Sequence, residues 1–178
     1  MPLLEVLTRC YKRPAMLAAN QASLQRQTDG DWIQTLLIDD EGRGIGWSYR
    51  NMAAYAPKLT GDYIWILDDD DVCMLDTLVE DVRRMARKNP DVIFVRMNHG
   101  PRGVLPGRNW RNAPMQGDIG VSAYIVKRQI WQLHSNAFGN HYAGDFDFIS
   151  QVYARTQSHM WYDAVVSEVQ RISNGEPE

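Results

Sequence analysis

Residues 61–71 read Gly-Asp-Tyr-Ile-Trp-Ile-Leu-Asp-Asp-Asp-Asp, an apolar run followed directly by four aspartates. The apolar run at 63–67 predicts a buried β-strand, which brings four carboxylates to its end. Packing alone does not favour four like charges there, whereas a divalent cation would stabilise them. Because side chains alternate along a strand, Asp68 and Asp70 are predicted to share one side and Asp69 to point to the other. Carboxylate oxygens suit Mg²⁺ and Mn²⁺, so Asp68 and Asp70 are the candidate ligands for one such ion.

A second interpretation is that these aspartates cap a following helix and lie in water. The segment from Val72 to Lys88 has helical periodicity, and aspartate is a favoured residue at the start of a helix. A single aspartate would suffice for a cap, so the sequence favours the metal-site interpretation.

Composition and charge limit the class of protein. The chain has 178 residues, of which 44% are hydrophobic and 23% charged, as expected for one globular domain. A net charge of -3 argues against general binding to polyanions. No apolar run approaches the roughly 18 residues of a membrane span, and the first residues lack a signal-peptide pattern. Cys10 and Cys73 are predicted to be free thiols in a reducing compartment, which predicts a cytoplasmic location.

Apolar strands alternate with helical segments along the chain. Strands are predicted at 3–8, 33–38, 63–67, 91–95, 119–127 and 160–169, and helices at 14–27, 44–57, 72–88, 128–133 and 145–154. This order predicts an α/β fold with a mainly parallel central sheet flanked by helices. One domain is predicted over residues 1–172, followed by a flexible tail at 173–178.

Polar residues follow three of the predicted strands. They are Thr8 and Arg9, then Asp39 and Asp40, then the four aspartates at 68–71. Ligands bind beyond the carboxyl ends of strands in such sheets, so one binding edge is predicted. The glycines at 42, 44 and 46 depart from the G-x-G-x-x-G spacing of dinucleotide-binding loops, and they are interpreted as a flexible loop entering a helix.

The segment from Arg96 to Gly117 interrupts the alternation. It is rich in glycine, proline and arginine and contains no Asp or Glu. Long loops inside a compact domain are often functional, although a solvated loop is the alternative interpretation. Arginine suits phosphate oxygens and tryptophan stacks on rings. The candidate acceptor-binding residues are therefore Arg102, Arg108, Trp110 and Arg111.

Several motifs, in order, resemble those of inverting family 2 glycosyltransferases with the GT-A fold. The first is Thr8-Arg9-Cys10-Tyr11-Lys12-Arg13-Pro14 after the first strand. Leu37 to Gly42 resembles the family's V-D-D-G-S segment, and Arg50-Asn51 its R-N pair. Residues 61–71 resemble its G-D-Y-I and D-x-D run, and Gly144 to Phe148 resembles E-D-Y-D-L, with Gly144 in place of the usual acid.

The resemblance implies a single nucleotide-sugar-binding domain that moves a sugar from a nucleotide diphosphate, UDP above all, to an acceptor hydroxyl with inversion. Mn²⁺ or Mg²⁺ on Asp68 and Asp70 would bridge the diphosphate. Asp145 would be the catalytic base, kept ionised by its place at a helix start, with Asp147 as the fallback. The implied donor-binding residues are Thr8, Arg9, Tyr11, Arg13, Asp39, Arg50, Asn51, Asp68 and Asp69.

Two alternatives stay open at this point. A sugar-nucleotide nucleotidyltransferase would also use the carboxylates, but it should carry a Gly-rich phosphate loop after the first strand. A non-catalytic nucleotide-sugar binding module would keep the fold without the reaction. The acceptor is expected to bear phosphate, and the candidate classes are a modified nucleic acid, a phosphorylated glycan and a phosphorylated lipid head group.

Overall fold

The computed structural model describes residues 1–170, so the tail predicted at 173–178 and the end of the predicted domain lie outside the described residues. The strands are β1 Leu4–Cys10, β2 Trp32–Ile38, β3 Tyr63–Ile66, β4 Asp71–Cys73, β5 Val92–Asn98, β6 Val104–Leu105, β7 Tyr124–Lys127 and β8 His159–Val169. The α-helices are α1 Pro14–Gln25, α2 Ile45–Tyr55, α3 Leu78–Ala86, α4 Arg128–His134 and α5 Gly144–Arg155. None of these helices has the length and apolar character needed to cross a membrane.

The strands form one sheet in the order β2-β1-β3-β7-β5-β8-β4, with β6 paired to β5. The predicted α/β class is confirmed, but the sheet is mixed rather than mainly parallel. Strand β1 is parallel to β2 and β3, and β5 is parallel to β8. Strand β7 lies between β3 and β5 and is antiparallel to both. The chain leaves β5 at the carboxyl edge of the sheet and stays at that edge until β7, so β7 must return in the opposite direction.

Side-chain alternation along β3 divides the core into two layers. Tyr63 and Trp65 pack on one face of the sheet with residues of α1 and α3. Ile64 and Ile66 pack on the other face with residues of α2, α4 and α5. All four side chains are buried. A strand with helices over both faces must be apolar on both, which explains the unbroken apolar run.

The helix predicted over 72–88 begins later than periodicity indicates. Residues 71–73 form β4, which pairs antiparallel with β8 through Asp71 opposite Val169 and Cys73 opposite Ser167. The helix then starts at Leu78. Pairing with a distant strand overrides the local pattern, which the sequence of the segment alone does not show. The predicted strand at 119–127 is likewise shorter, because residues 121–123 form a turn of 3₁₀ helix before β7.

The carboxyl ends of β1, β2 and β3 meet at one edge, as parallel pairing requires. Pairing of Cys10 with Ile38 and of Leu7 with Ile66 brings residues 9–13, 39–44 and 68–71 together. This edge forms the floor of a large cleft.

Candidate functional site

A cleft of about 710 Å³ opens at the carboxyl edge of the sheet. Both acidic and basic side chains line the cleft, close to one another. The acids that line it are Asp39, Asp68, Asp70, Asp71 and Asp145, and the arginines are Arg9, Arg13 and Arg102. The cleft therefore brings together the predicted metal ligands, the predicted base, five of the predicted donor-binding residues (one of them, Asp68, also a predicted metal ligand) and one predicted acceptor residue.

Residues 68–71, here called the aspartate turn, connect β3 to β4. The turn is closed by the N–H of Asp71, which donates to the carbonyl of Asp68 at 2.9 Å. Asp68 and Asp70 line the cleft, whereas Asp69 is 1% exposed and accepts the backbone N–H of Tyr11 at 2.9 Å. This is the division that alternation predicts. Asp71 also lines the cleft, and burial raises its pKa well above the ordinary value.

Asn20 holds the aspartate turn from below. Its side-chain amide donates to the carbonyls of Asp68 and Asp71, both at 2.9 Å, and it is fully buried. Gln34 donates in turn to the oxygen of Asn20 at 2.7 Å and to Thr8 at 2.8 Å. Thr8 thus belongs to a buried supporting network and not to the cleft wall. The sequence gives one indication of this role. Asn20 is polar, although the spacing of Leu17 and Leu24 along α1 predicts an apolar residue at its position.

Arg9 forms a two-pronged ion pair with Asp68. Its Nε donates to Oδ1 at 2.6 Å and its Nη2 donates to Oδ2. The guanidinium also lies 5.3 Å from the centre of the Tyr49 ring. Burial alone would lower the pKa of Arg9, but Asp68 outweighs it and raises the pKa above the ordinary value. Arg9 therefore remains charged at the floor of the cleft.

Arg13 bridges two other aspartates at the cleft mouth. Its Nη2 lies 2.6 Å from Asp69, and its Nη1 donates to Asp70. Here too burial would lower the pKa of Arg13, and the aspartates raise it. Two guanidinium groups thus offset part of the charge of the aspartate turn.

Asp39 organises the loop that follows β2. Its carboxylate accepts three backbone N–H groups, from Glu41 at 3.2 Å, Gly42 at 2.9 Å and Arg43 at 2.6 Å. Burial would raise the pKa of Asp39, but these donors hold it below the ordinary value. The Tyr11 ring packs on Gly42 so closely that a β-carbon there would lie 2.5 Å from the phenol oxygen. Tyr11, Asp39 and Gly42 form one wall of the cleft.

Arg50 and Asn51 lie on α2 outside the cleft lining. Arg50 is exposed, and its Nη1 donates to Asn140 at 2.9 Å. The same helix instead presents Ser48 and Tyr49 to the cleft. Arg50 therefore connects α2 to the loop before α5, and neither residue of the R-N pair lines the cleft.

Asp145 lies in the first turn of α5 and faces the cleft. Its Oδ1 accepts the backbone N–H of Phe146 at 2.8 Å. The helix start was expected to keep this acid ionised, but burial raises its pKa above the ordinary value, against the effects of that N–H and of Arg9. Asp147 is half-exposed, pairs with His141 at 2.6 Å and is not part of the cleft lining. Of the two aspartates, Asp145 is the one placed to meet a ligand.

Gly144 is required by packing. A β-carbon at this position would lie 1.9 Å from the carbonyl oxygen of Phe138 and 2.6 Å from the ring of Tyr49. The same Tyr49 contacts Arg9 on its other side. The chain therefore has no room at this position for the acid that usually precedes the aspartate in the resembled motif.

The segment from Arg96 to Gly117 is folded over much of its length. Asp118 accepts the N–H groups of Gly107 at 3.0 Å and Asn109 at 2.9 Å. Trp110 packs under Arg96, whose guanidinium is 4.2 Å from the ring centre, and against Trp161 at 5.1 Å. Trp110 is therefore part of the packing.

The arginines of this segment are separated from one another. Arg102 lines the cleft, together with His99, whereas Arg108 and Arg111 are exposed and lie outside the lining. His99 was not among the predicted residues, since a lone histidine after a strand carries no specific signal. Of the predicted acceptor residues, the structure brings only Arg102 to the cleft.

A sequence model of glycosyl transferase family 2 matches residues 39–142, more than half of the chain. The chain belongs to glycosyl transferase family 2. The matched region includes Asp39 and the aspartate turn and ends before Asp145. No curated protein sequence matches the chain.

Solved structures share the fold of this family 2 chain at low sequence identity. S. aureus TarS 1–349 in complex with UDP-GlcNAc has a TM-score of 0.72 and 13% identity, covering 98% of this chain and 60% of that one. The mannosyltransferase PcManGT from Pyrobaculum calidifontis, in complex with GDP-Man and Mn²⁺, has a TM-score of 0.65 and 15% identity. The match covers 98% of this chain and 58% of PcManGT. The protein A197 from STIV has a TM-score of 0.63 and 11% identity. The match covers 100% of this chain and 98% of A197. The chain thus spans about 60% of the length of the TarS structure.

The packing around Gly144 generates a prediction. Gly144→Ala should lower the free energy of unfolding by about 1–3 kcal/mol, because the added methyl group overlaps atoms that cannot easily move. Urea unfolding followed by tryptophan fluorescence measures the change. Gly30→Ala is the matched control, since nothing lies within 4 Å of a β-carbon at Gly30. Equal unfolding free energies for the two variants would contradict the packing argument.

Proposed function

We propose that this chain is the catalytic domain of a glycosyltransferase that uses a nucleotide-diphosphate sugar, with UDP as the first nucleotide to test. The observation that carries the proposal is that Asp145 shares one cleft with Asp68, Asp70, Arg9 and Arg13. A base for an acceptor hydroxyl and charged groups for a diphosphate are thus present on neighbouring walls. The nucleotide sugars bound to TarS and PcManGT support this assignment.

The donor would lie between the β2 loop and the aspartate turn. Tyr11 offers a ring face beside Asp39, which suits a nucleobase. Arg9 and Arg13 offer charged N–H groups, which suit diphosphate oxygens. A nucleotidyltransferase is less favoured, because the place of its Gly-rich loop is taken by Tyr11 to Pro14, where Pro14 opens α1.

Asp68 and Asp70 would hold Mn²⁺ or Mg²⁺. Within residues 1–170, no group of three or more His, Cys, Asp or Glu is arranged to hold a metal ion. Two carboxylates on one cleft wall nevertheless fit a hard cation that takes its remaining ligands from water and a diphosphate. When bound, such an ion neutralises the negative charge that develops on the leaving diphosphate.

Asp145 would accept the proton of the acceptor hydroxyl as that oxygen bonds to the anomeric carbon and the bond to the diphosphate breaks. One attack by the acceptor inverts the anomeric configuration. Oδ1 of Asp145 already accepts the N–H of Phe146, which orients the carboxylate and leaves Oδ2 for the acceptor. Burial makes the carboxylate a stronger base than an exposed aspartate.

The metal proposal predicts that Asp70→Asn reduces transfer by about 100-fold, because the diphosphate loses charge stabilisation. The Asp70→Asn variant should still fold, because the side chains of Asp70 and Arg13 are each about one-third exposed. Asp68→Asn should also reduce transfer, but it leaves the buried Arg9 without its counter-charge and should destabilise the fold by roughly 3 kcal/mol. Turnover with added Mn²⁺ and thermal unfolding separate the two effects. Transfer by Asp70→Asn at the wild-type rate, or wild-type transfer unaffected by EDTA, would refute the assignment.

The base proposal predicts that Asp145→Asn reduces transfer by roughly 10²- to 10⁴-fold with nearly unchanged donor affinity. Only ionised Asp145 is a base, so wild-type activity should fall as the pH drops through its raised pKa, at a higher pH than for an ordinary aspartate. The neutral form is favoured in the folded state, so Asp145→Asn should also raise the thermal midpoint at neutral pH. Asp147→Asn is the matched control, and it should retain activity. If Asp147→Asn is the inactive variant instead, the base is the other aspartate.

The acceptor proposal predicts an effect of Arg102→Ala that arginines outside the cleft lining do not share. A phosphate-bearing acceptor that contacts Arg102 should show a higher KM in this variant and a weaker dependence of KM on salt. The control is the double variant Arg108→Ala and Arg111→Ala, whose side chains lie outside the cleft lining. Steady-state kinetics with a candidate acceptor at two salt concentrations measures both. A larger effect in the double variant would place the acceptor surface on the outer loop.

A further inference from the structure

We infer that Arg9 and Arg13 are exchangeable counter-ions: they neutralise the aspartate turn and pass to the donor diphosphate when a divalent cation takes the carboxylate oxygens. Binding of the cation and binding of the nucleotide would then strengthen each other. The inference rests on the proposed function, because it takes the nucleotide diphosphate as the second partner of the arginines.

The first observation is that the arginines already use the oxygens that a cation would need. Arg9 contacts both carboxylate oxygens of Asp68, Oδ1 through Nε and Oδ2 through Nη2. Arg13 contacts Oδ2 of Asp70 and also Asp69. A cation on Asp68 and Asp70 must therefore displace or share these contacts, so guanidinium and metal compete for the same atoms.

The second observation is that both arginines keep unused donors. Arg9 Nη1 and Arg13 Nε are shielded from solvent and have no hydrogen-bond partner within residues 1–170. Buried polar groups are usually paired, so an unpaired N–H calls for an explanation. Both arginines line the cleft, and a diphosphate offers the acceptor oxygens that a guanidinium prefers.

The two arginines differ in their freedom to move. The Arg13 side chain is 35% exposed at the cleft mouth, whereas Arg9 is 14% exposed and rests against Tyr49. Arg13 is thus the one that can exchange partners by rotating its side chain. Arg9 is held by Asp68 through Nε and Nη2, and its Nη1 is the donor left for a new partner.

The cation competes with Arg13 for Asp70, and the diphosphate attracts Arg13. Binding of the cation and binding of the nucleotide are therefore expected to favour each other. A cation that occupies Asp70 frees Arg13 for the diphosphate, and a diphosphate that holds Arg13 frees Asp70 for the cation. Thermodynamic linkage requires that each ligand raises the affinity of the other by the same factor.

The test is isothermal titration of the whole chain with Mn²⁺ alone, UDP alone and each in the presence of the other. Arg13→Gln should bind Mn²⁺ alone roughly five- to tenfold more tightly than wild type, because the competing charge is gone. It should bind UDP about tenfold more weakly at saturating Mn²⁺, and the coupling factor should fall towards one. Arg13→Lys, which keeps the charge without the fork, should leave Mn²⁺ affinity near wild type and still weaken UDP.

Arg83→Gln is the matched control, because Arg83 also bridges two aspartates, Asp29 and Asp31, on a surface away from the cleft. It should change neither affinity. Substitution of a merely structural arginine would not raise the affinity for Mn²⁺ and lower the affinity for UDP at the same time. If Arg13→Gln binds Mn²⁺ no more tightly than wild type while UDP binding persists, the inference is overturned and the proposed function stands. Wild-type protein that binds neither Mn²⁺ nor UDP would overturn both.

Discussion

The charge of the aspartate turn is the constraint on which the site depends. Four consecutive carboxylates follow a strand whose side chains are buried on both faces, so water alone cannot screen them. They are held by cationic and amide groups that arrive from other elements: Arg9 and Arg13 from the end of β1, and Asn20 from α1. Parallel pairing of β1 with β3 puts those groups in reach. The register of two central strands therefore decides whether the site can exist.

Burial and helix polarity act against each other at Asp145. The first turn of a helix favours a negative charge, and the N–H of Phe146 adds to that effect. Desolvation in the cleft is larger and raises the pKa. The Tyr49 ring lies near both Arg9 and Gly144, so the packing that excludes a second acid also connects the start of α5 to the arginine that pairs with Asp68.

Sequence patterns predicted the parts of the fold that local chemistry controls. The unbroken apolar run at 63–67 predicts a doubly covered strand, and the order of motifs predicts the family. The antiparallel entry of β7 and the pairing of β4 with β8 depend on where distant segments return to the sheet, which no local period encodes. The support from Asn20 is not predicted either: its apolar position in the helix indicates burial, but its partners are backbone carbonyls of a distant segment. Thr8 was placed on the correct edge, but only side-chain packing shows that it turns away from the cleft.

The Asp39 carboxylate is mostly committed to its own loop, and this limits what it can recognise. An ionised carboxylate offers about four acceptor positions, and three backbone N–H groups already occupy Asp39. In the proposed donor site it would accept one more N–H, as the single imide of uracil supplies, but not the two adjacent N–H groups of guanine. Discrimination between pyrimidine and purine donors, seen as the ratio of UDP to GDP affinity, would then be set by the backbone of a five-residue turn rather than by a dedicated side chain.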